Sequence, residues 1–189
     1  MNFAVLHNLL MPNMFGKIDR AENPWVAILE EHELGAKLPR VDICDVPNDS
    51  VLIKMDGSKE PDTLFHEHNG QRKRCDYLLI TTVNGIKTLL FVEMKSDNIS
   101  NTEVVQKFLA SQCLWDYIAS MLDRFHSYPG MSSAYVDIFS SYEKRFVRFQ
   151  TKNMNKRGTR RVPFKDGRSP ERMKVFSNPK SKSLNELLR

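Results

Sequence analysis

The run from Asp76 to Lys95, DYLLITTVNGIKTLLFVEMK, constrains the fold more than any other part of the chain. Two apolar arms, residues 77–83 and 86–94, flank Asn84-Gly85. Asn-Gly between apolar runs predicts a two-residue β-hairpin turn, because both turn positions need φ > 0. Paired antiparallel arms bring their far ends together. Asp76 and Glu93 are therefore expected side by side although 17 positions apart. Side chains alternate faces along a strand, so Glu93 and Lys95 share a face and Met94 takes the other. The segment Leu89-Leu90-Phe91-Val92 is apolar on both faces and reads as an interior strand. A Glu and a Lys closing such a strand are costly unless paired or used.

Two carboxylates and an ammonium converging at one strand end suit a hard divalent cation, Mg²⁺ or Mn²⁺. Such an ion polarises a phosphoryl oxygen and acidifies a bound water. A neighbouring Lys orients that water or offsets charge developing on the phosphate.

At Asp76 and Glu93-Met94-Lys95 the chain resembles the PD-(D/E)XK nuclease superfamily. The resemblance covers roughly residues 20–125 and rests on hairpin, spacing and flanking helices. It implies an α/β fold with a central mixed sheet flanked by helices, a restriction-endonuclease-like core. It implies a metal-dependent phosphodiesterase with Asp76, Glu93 and the Met94 carbonyl as metal ligands and Lys95 at the water. The family usually adds a helix acid before the motif and a helix behind it, often with a Gln. For these roles the chain offers Glu31 and Gln112, with Gln106 as rival to Gln112. Pro61-Asp62 matches the family's literal "PD" but sits in a Gly/Ser/Lys/Pro-rich segment, so Asp62 is read as a loop residue.

Elsewhere the patterning is read element by element. Asn23-Pro24 predicts a helix start, with the helix ending at Gly35. In that phase Glu31 falls on the apolar stripe of Ala27, Ile28 and Leu34, and Glu30 and Glu33 turn to solvent. Residues 41–46 and 51–55 are short strand candidates. Ser100-Asn-Thr-Glu103 has capping-box spacing and opens a long helix to about Arg124. Gln112 is the polar exception on its buried face. Residues 133–140 and 144–150 read as strands that extend the hairpin sheet, and residues 183–188 as a short terminal helix. His66 and His68 would share a strand face, which leaves a His-metal nuclease open as a minor reading.

Charge is placed unevenly. Residues 1–150 hold 16 Lys/Arg against 20 Asp/Glu, a net −4, and residues 151–189 hold 12 against 3, a net +9. The division predicts a core, 1–150, and a mostly extended basic arm, 151–189. Lys156, Arg157, Arg160 and Arg161 of the arm, and Arg72, Lys73 and Arg74 before Asp76, are candidate phosphate contacts. A solvated strand edge and a solubilising tail are the rival readings. The expected partner is nucleic acid, DNA favoured over RNA, with a larger protein complex or a homo-oligomer open. Three widely spaced cysteines, no basic leader and no run of 18 apolar residues predict a cytoplasmic protein with no membrane span. Defence, restriction and repair roles follow by analogy alone. The alternative is a non-catalytic nucleic-acid-binding or assembly subunit that keeps a nuclease-like fold.

Overall fold

A computed structural model describes residues 4–21, 24–31, 36–57, 70–95, 100–126, 142–151 and 165–189. The chain is an α/β protein built on two mixed sheets. The first has β1 (Lys17–Asp19), β2 (Trp25–Glu30), β3 (Arg40–Val46) and β9 (Ser181–Ser183), in that order. The second has β4 (Val51–Lys54), β5 (Tyr77–Val83), β6 (Ile86–Lys95), β7 (Glu143–Gln150) and β8 (Lys174–Ser177). The helices are α1 (Ala4–Leu9), α2 (Asn101–His126) and α3 (Leu184–Leu188). Among the described residues no helix is long and apolar enough to cross a membrane.

The hairpin forms as its sequence predicts. Asn84 has φ 52° and Gly85 φ 78°, and the arms pair from Val83 opposite Ile86 to Tyr77 opposite Val92. The predicted cap of α2 is also present: the Glu103 N–H donates to Ser100 Oγ at 3.1 Å. After α2 the chain returns as β7, parallel to β6, with Glu93 opposite Arg148 and Lys95 opposite Gln150.

Strand alternation sorts the core into two layers. One face of the five-stranded sheet sends Leu78, Ile80, Leu89, Phe91 and Phe146 against Val104, Phe108, Trp115 and Ile118 of α2. The other face sends Leu79, Leu90, Val92, Val147 and Phe149 against Ala27, Leu29, Val41 and Ile43 of the four-stranded sheet. The order of layers is therefore sheet, sheet, helix. The expected helices on both faces are replaced on one face by a second sheet.

The cause lies at residues 25–30. The helix expected from Asn23-Pro24 is strand β2, flanked by β1 and β3. Trp25-Val-Ala-Ile-Leu29 is a short apolar run, and periodicity alone does not distinguish strand from buried helix over such a length. Helix propensities differ by a few tenths of a kcal/mol per residue. Burying a side chain such as Ile28 or Leu29 contributes about 1.5–3 kcal/mol, so the sheet partner decides.

The C-terminal segment is corrected as well. Residues 165–189 are not an extended arm, and the boundary at residue 150 does not separate them from the core. β8 adds to one sheet beside β7, and β9 adds to the other beside β3. Met173, Leu184 and Leu187 are buried, and Phe176 packs at the edge of the core. Four apolar residues among many basic ones anchor this segment. Residues 58–69 and 133–140, with Asp62, His66, His68 and the expected strand at 133–140, lie outside the described residues, as do Lys156, Arg157, Arg160 and Arg161.

Candidate carboxylate site

The open end of the hairpin gathers the charges that the sequence placed there. Pairing of Tyr77 with Val92 sets Asp76 across from Glu93. Asp76 is held on both sides: the Met94 N–H donates to its Oδ2, and its backbone carbonyl accepts from the Met55 N–H at 2.9 Å. Glu93 is 0 % exposed. Its Oε1 accepts from Lys107 Nζ at 2.6 Å. Its Oε2 is buried with no hydrogen-bond partner among the described residues.

Met94 is positioned by the same geometry. Successive residues of a strand direct their backbone groups to opposite neighbours. The Lys95 carbonyl accepts from the Thr151 N–H on the β7 side. The Met94 carbonyl is thereby turned the other way, where its N–H meets Asp76 and β5 has ended.

Three cations surround the pair. Lys107 comes from α2, Arg148 from β7 opposite Glu93, and Lys95 from the same face of β6. Arg148 is 4 % exposed, and its guanidinium donates to Asn101 Oδ1 at 3.3 Å. Burial raises the Asp76 carboxyl well above its ordinary range, and the nearby Glu93 charge raises it further. Burial likewise raises Glu93, against the opposing pull of Lys107, Lys95 and Arg148. Burial alone would lower Lys107, but Glu93 and Asp76 outweigh it and hold the ammonium above its usual value. At 2.6 Å the contact is an ion pair, and the cation stays charged. Burial lowers Arg148, with Glu93 opposing.

A cavity of about 340 Å³ opens beside Asp76, lined by Glu30, Glu31, Lys54, Asp56, Asp76, Tyr77 and Met94. Glu31 thus reaches the same cavity as Asp76, but from the end of a strand and not from a helix face. The helical phase expected for Glu31 does not form, because residues 25–30 are a strand.

The other candidates separate. Gln112 lies five residues past Lys107 on α2, about 140° around and 7.5 Å along the helix. Among the described residues it makes no hydrogen bond to the carboxylates. Gln106 accepts from Lys73 Nζ at 3.3 Å and packs against Gly70. Of the basic run, Arg72 is exposed. Lys73 also pairs with Glu103 at 3.6 Å, and Arg74 is buried with its guanidinium donating to the Gln71 and Lys73 carbonyls. Lys73 and Arg74 therefore serve the fold locally, and Arg72 is the member of the trio left facing solvent.

Three site residues went unread in the sequence. Lys107 follows Val104 by one helical turn and borders the buried stripe, yet which acid it meets depends on how α2 lies on the sheet. Arg148 had a legible signal: a charge inside Phe146-Val-Arg-Phe149 is the same anomaly that marked Glu93. Asp56 follows β4 in a bend, with no local pattern to mark it.

The donor set can be tested against Mg²⁺ or Mn²⁺. Among the described residues no three His, Cys, Asp or Glu side chains come together as a metal-holding group. Asp76 and Glu93 do stand side by side at the open end of the hairpin, both hard oxygen donors. Glu93 Oε2 has no hydrogen-bond partner among the described residues, and the Glu93 charge raises the affinity of Asp76 for positive charge. This set fits a small divalent cation. No protein-family model, no curated protein and no solved structure matches the chain.

Proposed function

We propose that the protein is a metal-dependent nuclease that hydrolyses phosphodiester bonds of nucleic acid, DNA favoured over RNA. The observation that carries this reading is the wholly buried Glu93 beside Asp76, one oxygen clamped by Lys107 and the other without a hydrogen-bond partner among the described residues. Structural ion pairs satisfy their oxygens; a buried oxygen left over is expensive to keep. The β5–β6 hairpin with α2 packed behind it agrees with the restriction-endonuclease-like core that the PD-(D/E)XK resemblance implies.

Asp76, Glu93 and the Met94 carbonyl would hold Mg²⁺ or Mn²⁺, with Glu31 contributing from the cavity. When bound, such an ion polarises a phosphoryl oxygen and lowers the pKa of its water. Lys95 orients the attacking water and offsets charge that gathers on the phosphate. Lys107 holds Glu93 Oε1, which fixes the direction of Oε2. Arg148 keeps positive charge behind Glu93, which opposes the upward pull of burial on its carboxyl.

The test is incubation of the protein with plasmid, linear duplex and single-stranded DNA, and with RNA, in Mg²⁺, Mn²⁺ or EDTA. Cleavage is expected with either cation and none in EDTA. Cleavage undiminished in EDTA overturns the carboxylate-metal mechanism. Binding without cleavage under every condition points to a non-catalytic subunit, working with nucleic acid inside a larger complex.

A further inference from the structure

The two sheets are tied together next to the candidate site by one side chain. Tyr77, the first residue after Asp76, is 4 % exposed. Its ring stands on the face of β5 that meets the four-stranded sheet, as strand alternation from Asp76 requires. Its hydroxyl donates to the Glu30 carbonyl at 2.8 Å and accepts from the Glu30 N–H at 3.0 Å. One phenol thus satisfies both backbone groups of the last residue of β2. The next residue, Glu31, is pinned from the other side, its N–H donating to the Pro39 carbonyl at 2.9 Å. Glu31 lines the cavity shared with Asp76 and Met94.

We infer that Tyr77 is the positioning residue that delivers Glu31 to the cavity beside Asp76, so that one acid from each sheet reaches the same divalent cation. The inference rests on the nuclease reading above and deepens it. A hydroxyl that only needed satisfaction in the core could have met any carbonyl. Here it takes the donor and the acceptor of one residue, adjacent in sequence to one acid, while Tyr77 itself is adjacent to the other. The Tyr77 ring thus ties the strand end that carries Asp76 to the one that carries Glu31. Outer partners that orient a metal's ligands are worth roughly 10–100-fold in metal affinity.

The experiment is Mn²⁺ and Mg²⁺ titration by calorimetry of EDTA-treated full-length protein: wild type, Tyr77→Phe, Glu31→Gln and the double variant. Tyr77→Phe keeps the ring and removes only the hydroxyl. Each single change is expected to weaken cation affinity about tenfold. The double variant should be no weaker than either single, because the phenol acts only through Glu31. Wild-type affinity in Tyr77→Phe, or losses that multiply in the double variant, overturns the inference. In unaltered protein, Mn²⁺ should also broaden the backbone amide signals of Asp76 and Glu31 together. That measurement decides the matter should Tyr77→Phe fail to fold, and broadening at Asp76 without Glu31 overturns the inference. Absence of any saturable cation binding in wild type overturns the nuclease reading itself, and the inference with it.

Discussion

The two ends of the central hairpin carry the same kinds of residue in opposite electrostatic circumstances. At the turn end, Asn84 and Gly85 are exposed and Ile86 is 48 % exposed. Glu143 and Arg145 form an ion pair there with the Glu143 side chain half in water. At the open end Glu93 is fully buried and paired with the largely buried Lys107, and Arg148 stands beside them. Exposed pairs contribute about 0–1 kcal/mol, because water does nearly as well. Buried pairs cost several kcal/mol of desolvation per ion, which their attraction repays only with good geometry. One end of the sheet thus tolerates charge at little cost, and the other maintains it at considerable cost. An arrangement kept at a cost is the better guide to function.

The largest break in this comparison should come from Lys95. Lys95→Ala is expected to reduce turnover by roughly 10²–10⁴-fold. Nucleic-acid affinity should change little. Single-turnover cleavage with a parallel binding titration checks both, and wild-type turnover would make the Glu-x-Lys spacing accidental.

Lys107 comes next. Lys107→Met leaves Glu93 buried without its counter-ion, and removing one partner of a buried pair costs about 3–5 kcal/mol. Urea unfolding measures this. Adding Glu93→Gln should recover part of the loss, since the two changes act on one interaction. A loss no larger than that of a surface pair would mean that the site is wetter than its burial implies.

Cation binding should sharpen the contrast by a smaller amount. At ten times its Kd, Mg²⁺ or Mn²⁺ stabilises the folded state by about 1.4 kcal/mol. Thermal unfolding with and without the ion reads this as a rise of a few degrees. Asp76→Asn should remove the rise, and a rise that persists places the ion elsewhere.

The smallest effect belongs to the turn end. Glu143→Gln is expected to shift stability by no more than about 1 kcal/mol, with cleavage unchanged. A loss comparable to that of Lys107→Met would erase the distinction between the two ends.

Legibility in the sequence followed locality. Asn84-Gly85, the apolar arms and the cap at Ser100 each act within a few residues, and each was readable. Glu93 was readable because a charge closing an interior strand is anomalous wherever the strand goes. Arg148 carried the same anomaly, but residues 144–150 pass for an alternating strand until β6 and α2 bury their polar face. The segment 25–30 was misread because a short apolar run obeys its neighbours. Glu31 arrived at the cavity all the same, carried by a strand end in place of a helix face.

By itself the sequence determined the hairpin, its register, the long helix behind it and the meeting of Asp76 with Glu93. Turn chemistry and the period-2 pleat set these without reference to the rest of the chain. Tertiary structure alone decided that the second layer is a sheet, that residues 165–189 extend both sheets, that Lys107 and Arg148 meet Glu93, and that Glu31 reaches the cavity beside Asp76. Those outcomes depend on which surfaces bury each other, and burial of about 1.5–3 kcal/mol per side chain outweighs local preferences of a few tenths.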